Sequence, residues 1–274
     1  MRKNHITHIT TLALAAALLL ILATSAYAIS NGTPDQNQHP YVGLIVFEDA
    51  DGPAWLGTGS LLSPTVVLTA GHLTEGAVAA RIWFDENLLT NTEFPNSGDT
   101  SYEAAQILTM PHAPPGPGLT GFAQFDIGLI ILAEPVPTAA ISEYAELPDL
   151  NMANSLPKNS MITLVGYGAQ WQERGSGITP PTSWRGVGMR MQAYAQIIPS
   201  KDAISDKFLK TTANPGQGKG STCFGDSGGP ALLAGTDMIL AVTAFGTNYN
   251  CAGIGYYSRV DIPEVQQWIS QYFP

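Results

Sequence analysis

The sequence carries little charge, and basic residues are especially scarce. Only 12% of its 274 residues are charged, and 12 Lys and Arg residues face 22 Asp and Glu residues. If an N-terminal leader that contains Arg2 and Lys3 were removed, the net charge would change from −10 to −12. Such a surface repels phosphate groups, and no basic cluster is present, so we expect neither nucleic acid nor an anionic membrane as a partner.

Long apolar runs are missing except near the start of the chain. Residues 11–23 read TLALAAALLLILA, which is shorter than the ~20 residues that span a bilayer. A basic start precedes this run and Ala-Tyr-Ala follows it at 26–28, a pattern typical of a secretory signal peptide. We expect a signal peptide at 1–28, a secreted domain at 29–274 and no membrane association after cleavage.

Cysteine is limited to Cys223 and Cys251. Two cysteines alone make a poor metal site, and the loop at 74–100 has no convincing ligand pattern, so we expect no metal and no cofactor. In an exported chain an even pair of cysteines predicts a disulfide. Closing this loop would stabilise the fold by roughly 3–4 kcal/mol in the chain-entropy model.

Helical periodicity is nearly absent after the leader, which argues against an α/β architecture. Short apolar or alternating runs bounded by Gly, Pro, Asn and Ser recur instead, as in all-β sandwiches and barrels. A Pro-rich stretch at 134–160 is the best candidate for a connection between two halves. The runs predict strands near residues 41–48, 58–70, 80–84, 105–110, 127–132, 161–167, 187–198, 230–234, 238–245 and 254–260.

One helix is predicted, at the C-terminal end. Asp261 can serve as N-cap, Pro263 lies in the first turn, and Glu264 has the spacing of a capping box. Apolar residues then fall on one face, which predicts a helix that packs on the β-structure. These residues are Val265, Trp268, Ile269 and Phe273.

Histidine, the commonest general base near neutral pH, occurs only five times. His5 and His8 belong to the predicted leader. His39 lies in a polar turn and is expected to be solvated, and His112 lies in a Pro-rich loop. His72 follows the apolar run TVVLTAG, so a strand delivers it to a strand end. Taken alone, it could be structural or catalytic.

Two further polar residues are candidates for chemistry. Asp126 precedes the apolar run IGLIIL, where a buried carboxylate needs a partner; the alternative is an Asp that caps a turn. Ser227 lies in CFGDSGGP at 223–230, where glycines allow backbone amides to face a small ligand. The alternative is an ordinary Gly-rich turn.

Two rival motifs fail on their context. The G-x-S-x-G match around Ser227 would require an acid and a histidine later in the chain, as in the α/β-hydrolases. No histidine follows Ser227. The S-x-x-K match at 155–158 contains Pro157 and lacks its partner motifs, so we treat it as a chance match.

The remaining order, His72, Asp126, Ser227, resembles that of the chymotrypsin-like (trypsin-fold) serine endopeptidases. LTAGH at 68–72 resembles the family's catalytic-histidine segment, FDIGLIIL at 125–132 its catalytic-aspartate segment, and GDSGGP at 225–230 its nucleophile loop. The segment VTAFG resembles its substrate-binding strand, and GIGYYSRV the strand behind the specificity pocket. The resemblance covers nearly all of residues 29–274.

This resemblance implies an all-β fold of two six-stranded antiparallel β-barrels with a C-terminal α-helix. The N-terminal barrel would occupy about residues 29–140, the C-terminal barrel about 150–260, and the helix 262–272. The family usually has a disulfide beside the catalytic histidine. Leu73 and Gly57 occupy those two positions here, so we expect that bridge to be absent.

The resemblance also implies roles for single residues, through the mechanism for which this family is the type case. Ser227 would attack the scissile carbonyl, His72 would transfer the proton, and Asp126 would orient the imidazole. Backbone amides of Gly225 and Ser227 would form the oxyanion hole, and an acyl-enzyme would follow. Protein or peptide substrates are expected, and we expect a monomer. The alternatives are a catalytically inactive binding module and an esterase that uses the same triad.

The same resemblance implies a substrate pocket. Ser221 would lie at its base, and Gly246 and Gly255 would form open walls. Because Ser221 carries no charge, we expect large uncharged side chains rather than Arg or Lys before the scissile bond. Ala244, Phe245 and Gly246 would pair with the substrate backbone as an added strand.

Activation in this family depends on a new N-terminal amine that pairs with the Asp before the nucleophile, here Asp226. ISNG at 29–32 resembles the mature start. Relatives usually release this amine by cleavage after Arg or Lys. No Arg or Lys lies between Lys3 and Arg81, so this route is excluded here. We expect signal cleavage itself to expose Ile29; the alternative is cleavage elsewhere followed by trimming.

Overall fold

The structure is a computed structural model, and it describes residues 29–92, 94–95, 100–111, 124–169, 171–173, 183–199, 206–213 and 217–273. The predicted signal peptide and His112 lie outside these ranges. None of the helices in the described ranges is both long and apolar enough to cross a membrane.

Six antiparallel strands close the N-terminal barrel. They are β2 (Val42–Asp49), β3 (Gly52–Leu61), β4 (Val66–Thr69), β5 (Ala79–Trp83), β6 (Ser101–Thr109) and β7 (Gly128–Leu132), joined in the order β2-β3-β4-β7-β6-β5. Helix α1 (Gly71–Thr74) follows β4, and a 3₁₀ turn (Leu88–Thr90) follows β5. Apolar side chains from all six strands fill the barrel, so burial of this shared core stabilises closure.

The second half of the chain closes another six-stranded antiparallel barrel. Its strands are β8 (Met161–Gly166), β11 (Met191–Ile197), β12 (Phe208–Ala213), β13 (Pro230–Leu233), β14 (Ile239–Gly246) and β15 (Gly253–Arg259). Their ring order is β8-β11-β12-β15-β14-β13, and β13 pairs with β8 to complete it. The predicted pair of six-stranded barrels is therefore confirmed.

Smaller elements surround the barrels. A short β1 (Thr33–Pro34) pairs with β11, and β9 (Trp171–Glu173) pairs with β10 (Ser183–Arg185). Helix α2 (Met152–Ser155) lies in the connection between the barrels, and α3 (Pro263–Ile269) follows β15. The sequence patterns missed β1, β9, β10 and β12.

The predicted single strand at 58–70 is wrong, because the structure has two strands there, β3 and β4. Ser63 and Pro64 form the turn between them. The Ser63 hydroxyl accepts from the amide of Val66 at 3.2 Å, and Leu62 N–H donates to Val66 C=O at 2.8 Å. The Ser-Pro turn signal thus prevailed over the surrounding apolar residues.

The C-terminal helix is confirmed, but its predicted cap is wrong. Ile262 is the N-cap and makes no side-chain cap bond, and the helix ends at Ile269 rather than 272. Asp261 instead receives two hydrogen bonds from Arg259, both at 2.8 Å, and one from the amide of Ala153 at 2.7 Å. A buried arginine competes successfully for the carboxylate because it offers a bidentate, charged donor. The buried face matches the prediction: Val265, Trp268 and Ile269 have little exposure, and Phe273 packs on the same cluster.

His39 is buried, which contradicts the prediction of a solvated side chain. Its Nδ1 lies 2.5 Å from Oδ1 of Asp35, and its amide donates to Oδ2 at 3.0 Å. Arg190 also binds this carboxylate. Gln36, Asn37 and Gln38 in this turn are exposed, whereas Asp35 and His39 at its two ends are buried and pair with each other.

Candidate active site

His72 and Asp126 form a close pair at the edge of the N-terminal barrel. Strand β4 leads into α1, where His72 is the second residue, and Asp126 lies two residues before β7 begins at Gly128. Oδ1 of Asp126 accepts the amide of His72 at 2.6 Å, and Oδ2 lies 2.8 Å from Nδ1. With Nδ1–H donated to the carboxylate, a neutral imidazole keeps Nε2 as its proton acceptor. The side chain of Asp126 is 9% exposed and that of His72 is 43% exposed, so the outer edge of the ring is accessible.

The absence of a side chain at Gly71 lets α1 lie against β7. A Cβ at this position would be 3.0 Å from the backbone N and O of Ile127 and 3.2 Å from Oδ1 of Asp126. Such contacts are tighter than normal packing, so a larger residue would push α1 away. Gly71 therefore helps to bring the imidazole within hydrogen-bonding distance of the carboxylate.

Leu73 lies next to His72. Leu73 and Gly57 stand at the two positions where the family usually has a disulfide. A Cβ on Gly57 would lie 2.3 Å from Cδ1 of Leu73, so the leucine packs directly on the glycine backbone. The indole of Trp55 donates to the carbonyl of Leu73 at 2.9 Å. Apolar packing and one hydrogen bond thus hold the histidine-bearing helix.

Ser227 lies in a tight loop that leads into β13. The loop is linked to the 246–253 connection by the disulfide Cys223–Cys251, with an S–S distance of 2.00 Å, which confirms the predicted pairing. Gly225 and Gly228 adopt φ values of +96° and +83°, which favour glycine. The local sequence folds this way because only glycine reverses the chain so sharply here.

The backbone amides of the loop divide into two groups. Asp226 N–H donates to Cys223 C=O at 3.0 Å, Gly228 N–H to Thr243 C=O at 2.9 Å, and Gly229 N–H to Asp226 C=O at 2.9 Å. In the part of the chain that the structure describes, no oxygen accepts from the amides of Gly225 or Ser227. Two such amides, separated in the sequence by Asp226, are what an oxyanion site requires.

A cavity of about 640 Å³ lies beside His72 and Ser227, between the two barrels. His72 borders it from the N-terminal barrel and Ser227 from the C-terminal barrel. Its remaining lining consists of Ser221, Thr222, Cys223, Phe224, Thr243, Ala244, Phe245, Gly246, Thr247, Asn248, Tyr249, Cys251, Ala252 and Ile254. Four of the predicted substrate-binding residues are therefore in the lining, and the fifth, Gly255, pairs with Gly246 across β14 and β15.

The two predicted wall glycines differ in their surroundings. A Cβ on Gly246 would have no atom within 4 Å, so this wall is open. A Cβ on Gly255 would lie 2.7 Å from the hydroxyl of Tyr257. Ser221 also lines the cavity and is 5% exposed.

Sequence reasoning missed an aromatic pair at the rim of this cavity. The rings of Phe224 and Tyr249 are stacked, with centroids 6.3 Å apart and an angle of 7° between their planes. Both side chains are exposed. The position of Phe224 inside the nucleophile motif is a signal that could have identified it, whereas the position of Tyr249 follows only from the fold.

Asp226 is fully buried, and so is the side chain of Ile29. The Asp226 carboxylate accepts the amides of Gly168 and Cys223, both at 2.7 Å. Burial raises the pKa of Asp226 to about 7, although these two hydrogen bonds act in the opposite direction. Among the described residues, no basic side chain forms an ion pair with Asp226.

Ile29 lies in the apolar core of the C-terminal barrel, next to a short bridge between Ser30 and Ser221. In the full-length chain its nitrogen is a peptide nitrogen because Ala28 precedes it. The predicted ion pair with Asp226 is therefore not formed in this state.

Two closed six-stranded β-barrels, with a His–Asp pair and a glycine-rich serine loop at one shared cleft, define the class of chymotrypsin-fold serine proteases. The family model for Trypsin matches residues 29–269. The chain belongs to the trypsin family and is a serine-type endopeptidase.

Individual relatives agree with this assignment at low identity. Trypsin theta of Drosophila erecta is 26% identical over 250 residues, which cover 84% of this chain and 80% of that protein. Serine protease 1 of Drosophila melanogaster is 28% identical over 232 residues, covering 81% and 77%. The solved structure of HL collagenase superposes with a TM-score of 0.64 at 21% identity and covers 85% of this chain and 93% of its own; it supports the shared fold.

Proposed function

We propose that this protein is a secreted endopeptidase that cleaves peptide bonds with the triad His72, Asp126 and Ser227. The observation that carries the proposal is the buried carboxylate of Asp126 bound to His72 Nδ1 at 2.8 Å, at a cavity that Ser227 also borders. Peptide and protein substrates fit a cleft of this size.

In the proposed mechanism, Ser227 Oγ attacks the substrate carbonyl carbon, and Nε2 of His72 takes the hydroxyl proton. Asp126 stabilises the resulting imidazolium and keeps Nδ1 protonated. The amides of Gly225 and Ser227 bind the oxyanion of the tetrahedral intermediate. His72 then protonates the leaving amine, and water, activated in the same way, releases the acyl group from Ser227.

The proposed specificity is for large uncharged residues before the scissile bond. Ser221 offers a neutral hydroxyl, and Gly246 leaves space on one side. The stacked rings of Phe224 and Tyr249 add apolar surface at the rim. A carboxylate, which would attract Arg or Lys, is missing from the described lining of the cavity.

Activation is proposed to coincide with export. Cleavage after Ala28 would give Ile29 a free ammonium, which would pair with the buried carboxylate of Asp226. The support is that Ile29 already lies in the core of the C-terminal barrel and that Asp226 lacks a cationic partner in the described part of the chain. Such a pair would fix the loop that carries both oxyanion amides.

The decisive experiment is labelling of the purified mature protein with a sulfonyl fluoride, followed by peptide mapping. The expected result is one adduct on Ser227 and parallel loss of peptide hydrolysis. Ser227→Ala should lose both, whereas Ser270→Ala, which removes an exposed helix-end hydroxyl, should retain both. A protein that binds peptides without an adduct would be an inactive binding module, and hydrolysis of esters alone would identify an esterase; either result would contradict the proposal.

A further inference from the structure

Thr58 connects the N-terminal barrel directly to the nucleophile loop of the other barrel. It lies in β3 and is fully buried. Its amide donates to the carbonyl of Ser227 at 2.8 Å, and its hydroxyl donates to the carbonyl of Gly225 at 2.8 Å. The same hydroxyl accepts the amide of Tyr167, the residue after β8, at 3.3 Å. The Thr58 side chain therefore contacts both the loop that carries Ser227, at Gly225, and the segment that follows β8, at Tyr167.

The carbonyl that Thr58 binds belongs to one of the two peptide groups that flank Gly225. The other flanking group has its carbonyl on Phe224, which accepts the amide of Ala169 at 2.7 Å. Peptide groups are planar, so holding each carbonyl also fixes its N–H on the opposite side. The Phe224 carbonyl shares its peptide group with the Gly225 N–H, so Ala169 holds that N–H directly. The Gly225 carbonyl shares its peptide group with the Asp226 N–H, so Thr58 acts on the Gly225 amide by limiting rotation at the Gly225 Cα.

Gly225 needs such external anchors more than another residue would. It has φ of +96°, and a residue without Cβ can rotate between several backbone conformations at small cost. Rotation about this residue would turn its amide away from the position of the developing oxyanion. The anchors select the one conformation that presents both amides to a substrate.

The position of Thr58 is itself set by its own barrel. Thr69, on the neighbouring strand β4, donates from its hydroxyl to the carbonyl of Thr58 at 2.8 Å. A Cβ on Gly228 would lie 2.2 Å from that carbonyl oxygen, and one on Gly229 would lie 3.2 Å from Cγ2 of Thr58. The loop therefore packs against a residue that the N-terminal core holds in place.

We propose that Thr58 is a positioning residue for the oxyanion hole, on the basis of the proposed function above. Its hydroxyl forms a relay in which Tyr167 N–H donates to Oγ1 and the O–H donates to Gly225 C=O. The relay orients the peptide next to the Gly225 amide, and it makes the geometry of the C-terminal barrel's loop depend on the N-terminal barrel. The backbone bond to Ser227 needs only the amide N–H, which valine, serine and alanine all keep, so the hydroxyl can be tested separately.

The test compares Thr58→Val, which keeps the shape and removes the hydroxyl, with Thr58→Ser, which keeps the hydroxyl. For hydrolysis of a peptide amide, the valine variant should lose about tenfold to a hundredfold in kcat, with KM changed less than about twofold, because only the transition state uses the oxyanion amides. Its affinity for a peptide aldehyde, which forms a tetrahedral adduct, should fall by the same factor. The serine variant should recover most of the rate.

Ser60→Ala is the matched control. It removes another buried hydroxyl from β3, one that has no hydrogen-bond partner among the described residues, and it should leave kcat unchanged. Unfolding temperatures of all variants are measured in parallel, and Thr58→Ala replaces the valine variant if that protein does not fold.

Normal kcat in Thr58→Val, or an equal loss in Thr58→Ser, would overturn the role of Thr58. A change confined to KM would do the same. These outcomes are distinct from failure of the proposed function, because in that case the wild-type protein itself would neither hydrolyse peptides nor label at Ser227.

Discussion

Arg190 donates from Nε to Oδ2 of Asp35 at 3.0 Å, and neither side chain has exposed surface. The pair joins the segment that follows Ile29 to the residue before β11. The Nη1 group of Arg190 also donates to the carbonyls of Val42 at 2.9 Å and Phe84 at 3.1 Å, both in the N-terminal barrel. One guanidinium therefore holds the N-terminal segment and both barrels together.

Removal of one partner from this pair should be strongly destabilising. Asp35→Asn leaves a buried guanidinium without its counter-ion, and we expect a loss of about 3–5 kcal/mol in the free energy of unfolding. The matched control is Glu103→Gln, which alters the ion pair of Arg81 with a carboxylate side chain that is 68% exposed, where a loss below about 1 kcal/mol is expected. Chemical denaturation measures both. Equal losses in the two variants would contradict the special role of Arg190.

Acid should weaken the same pair. Burial alone would raise the pKa of Asp35, but hydrogen bonds from His39 and the charges of His39 and Arg190 outweigh it and hold the pKa below the ordinary value of 3.8. Because the folded pKa is the lower one, this stabilisation is complete above about pH 4 and is lost as the pH falls through the folded pKa. Denaturation curves between pH 6 and pH 2 should show a steeper acid limb for the wild type than for Asp35→Asn. Parallel limbs would count against this assignment.

Strand patterns predicted an all-β fold, and the pair of cysteines in an exported chain predicted the disulfide. The two six-stranded barrels and the contact of His72 with Asp126 were implied by the resemblance to the chymotrypsin-like family, which rests on local motifs. The structure has both barrels, the contact and the disulfide. Prediction from the sequence failed where distant residues meet. Arg190 lies far along the chain from Asp35, so no window of sequence could show that His39 would be buried beside them. Asp261 also has a distant partner: its local pattern predicts a helix cap, whereas its carboxylate accepts the amide of Ala153, 108 positions earlier in the chain, together with the neighbouring Arg259.

The hydroxyl of Thr58 illustrates a second limit. Its partners, Gly225 and Tyr167, come from the other barrel, and a threonine in a strand is ordinary in sequence. Only the packing of the two barrels reveals that this residue touches the loop of Ser227.

Exposure of the Ile29 amine should change the pH dependence of stability. With Asp226 unpaired, its pKa of about 7 is above the ordinary 3.8, so the folded state is favoured by protonation. In a form with one extra residue before Ile29, the contribution of Asp226 to stability should therefore be largest below about pH 4 and should decline as the pH rises towards 7. The mature form should lack this decline, since an ammonium stabilises the carboxylate.

This prediction has two checks. The extended form should be exported and weakly active, and Asp226→Asn introduced into it should abolish the decline in stability. N-terminal sequencing of active secreted protein should give Ile29 as its first residue. A different first residue on fully active protein would refute activation by signal cleavage.

A change at Ser221, which lines the cavity and is proposed to form its base, should alter substrate preference. The wild type is expected to cleave after Phe, Tyr, Leu or Met, since Ser221 brings no charge to the pocket. Ser221→Asp places a carboxylate where only 5% of the residue surface is exposed, and a buried carboxylate is costly without a cation. A substrate with Arg or Lys would supply that cation. We therefore expect this variant to gain cleavage after basic residues and to lose at least about tenfold in kcat/KM after Phe.

Profiling both proteins with a peptide library measures the change, with Ser60→Ala as a variant that should retain the wild-type profile. Cleavage by the wild type mainly after Arg or Lys would show that Ser221 does not set the preference.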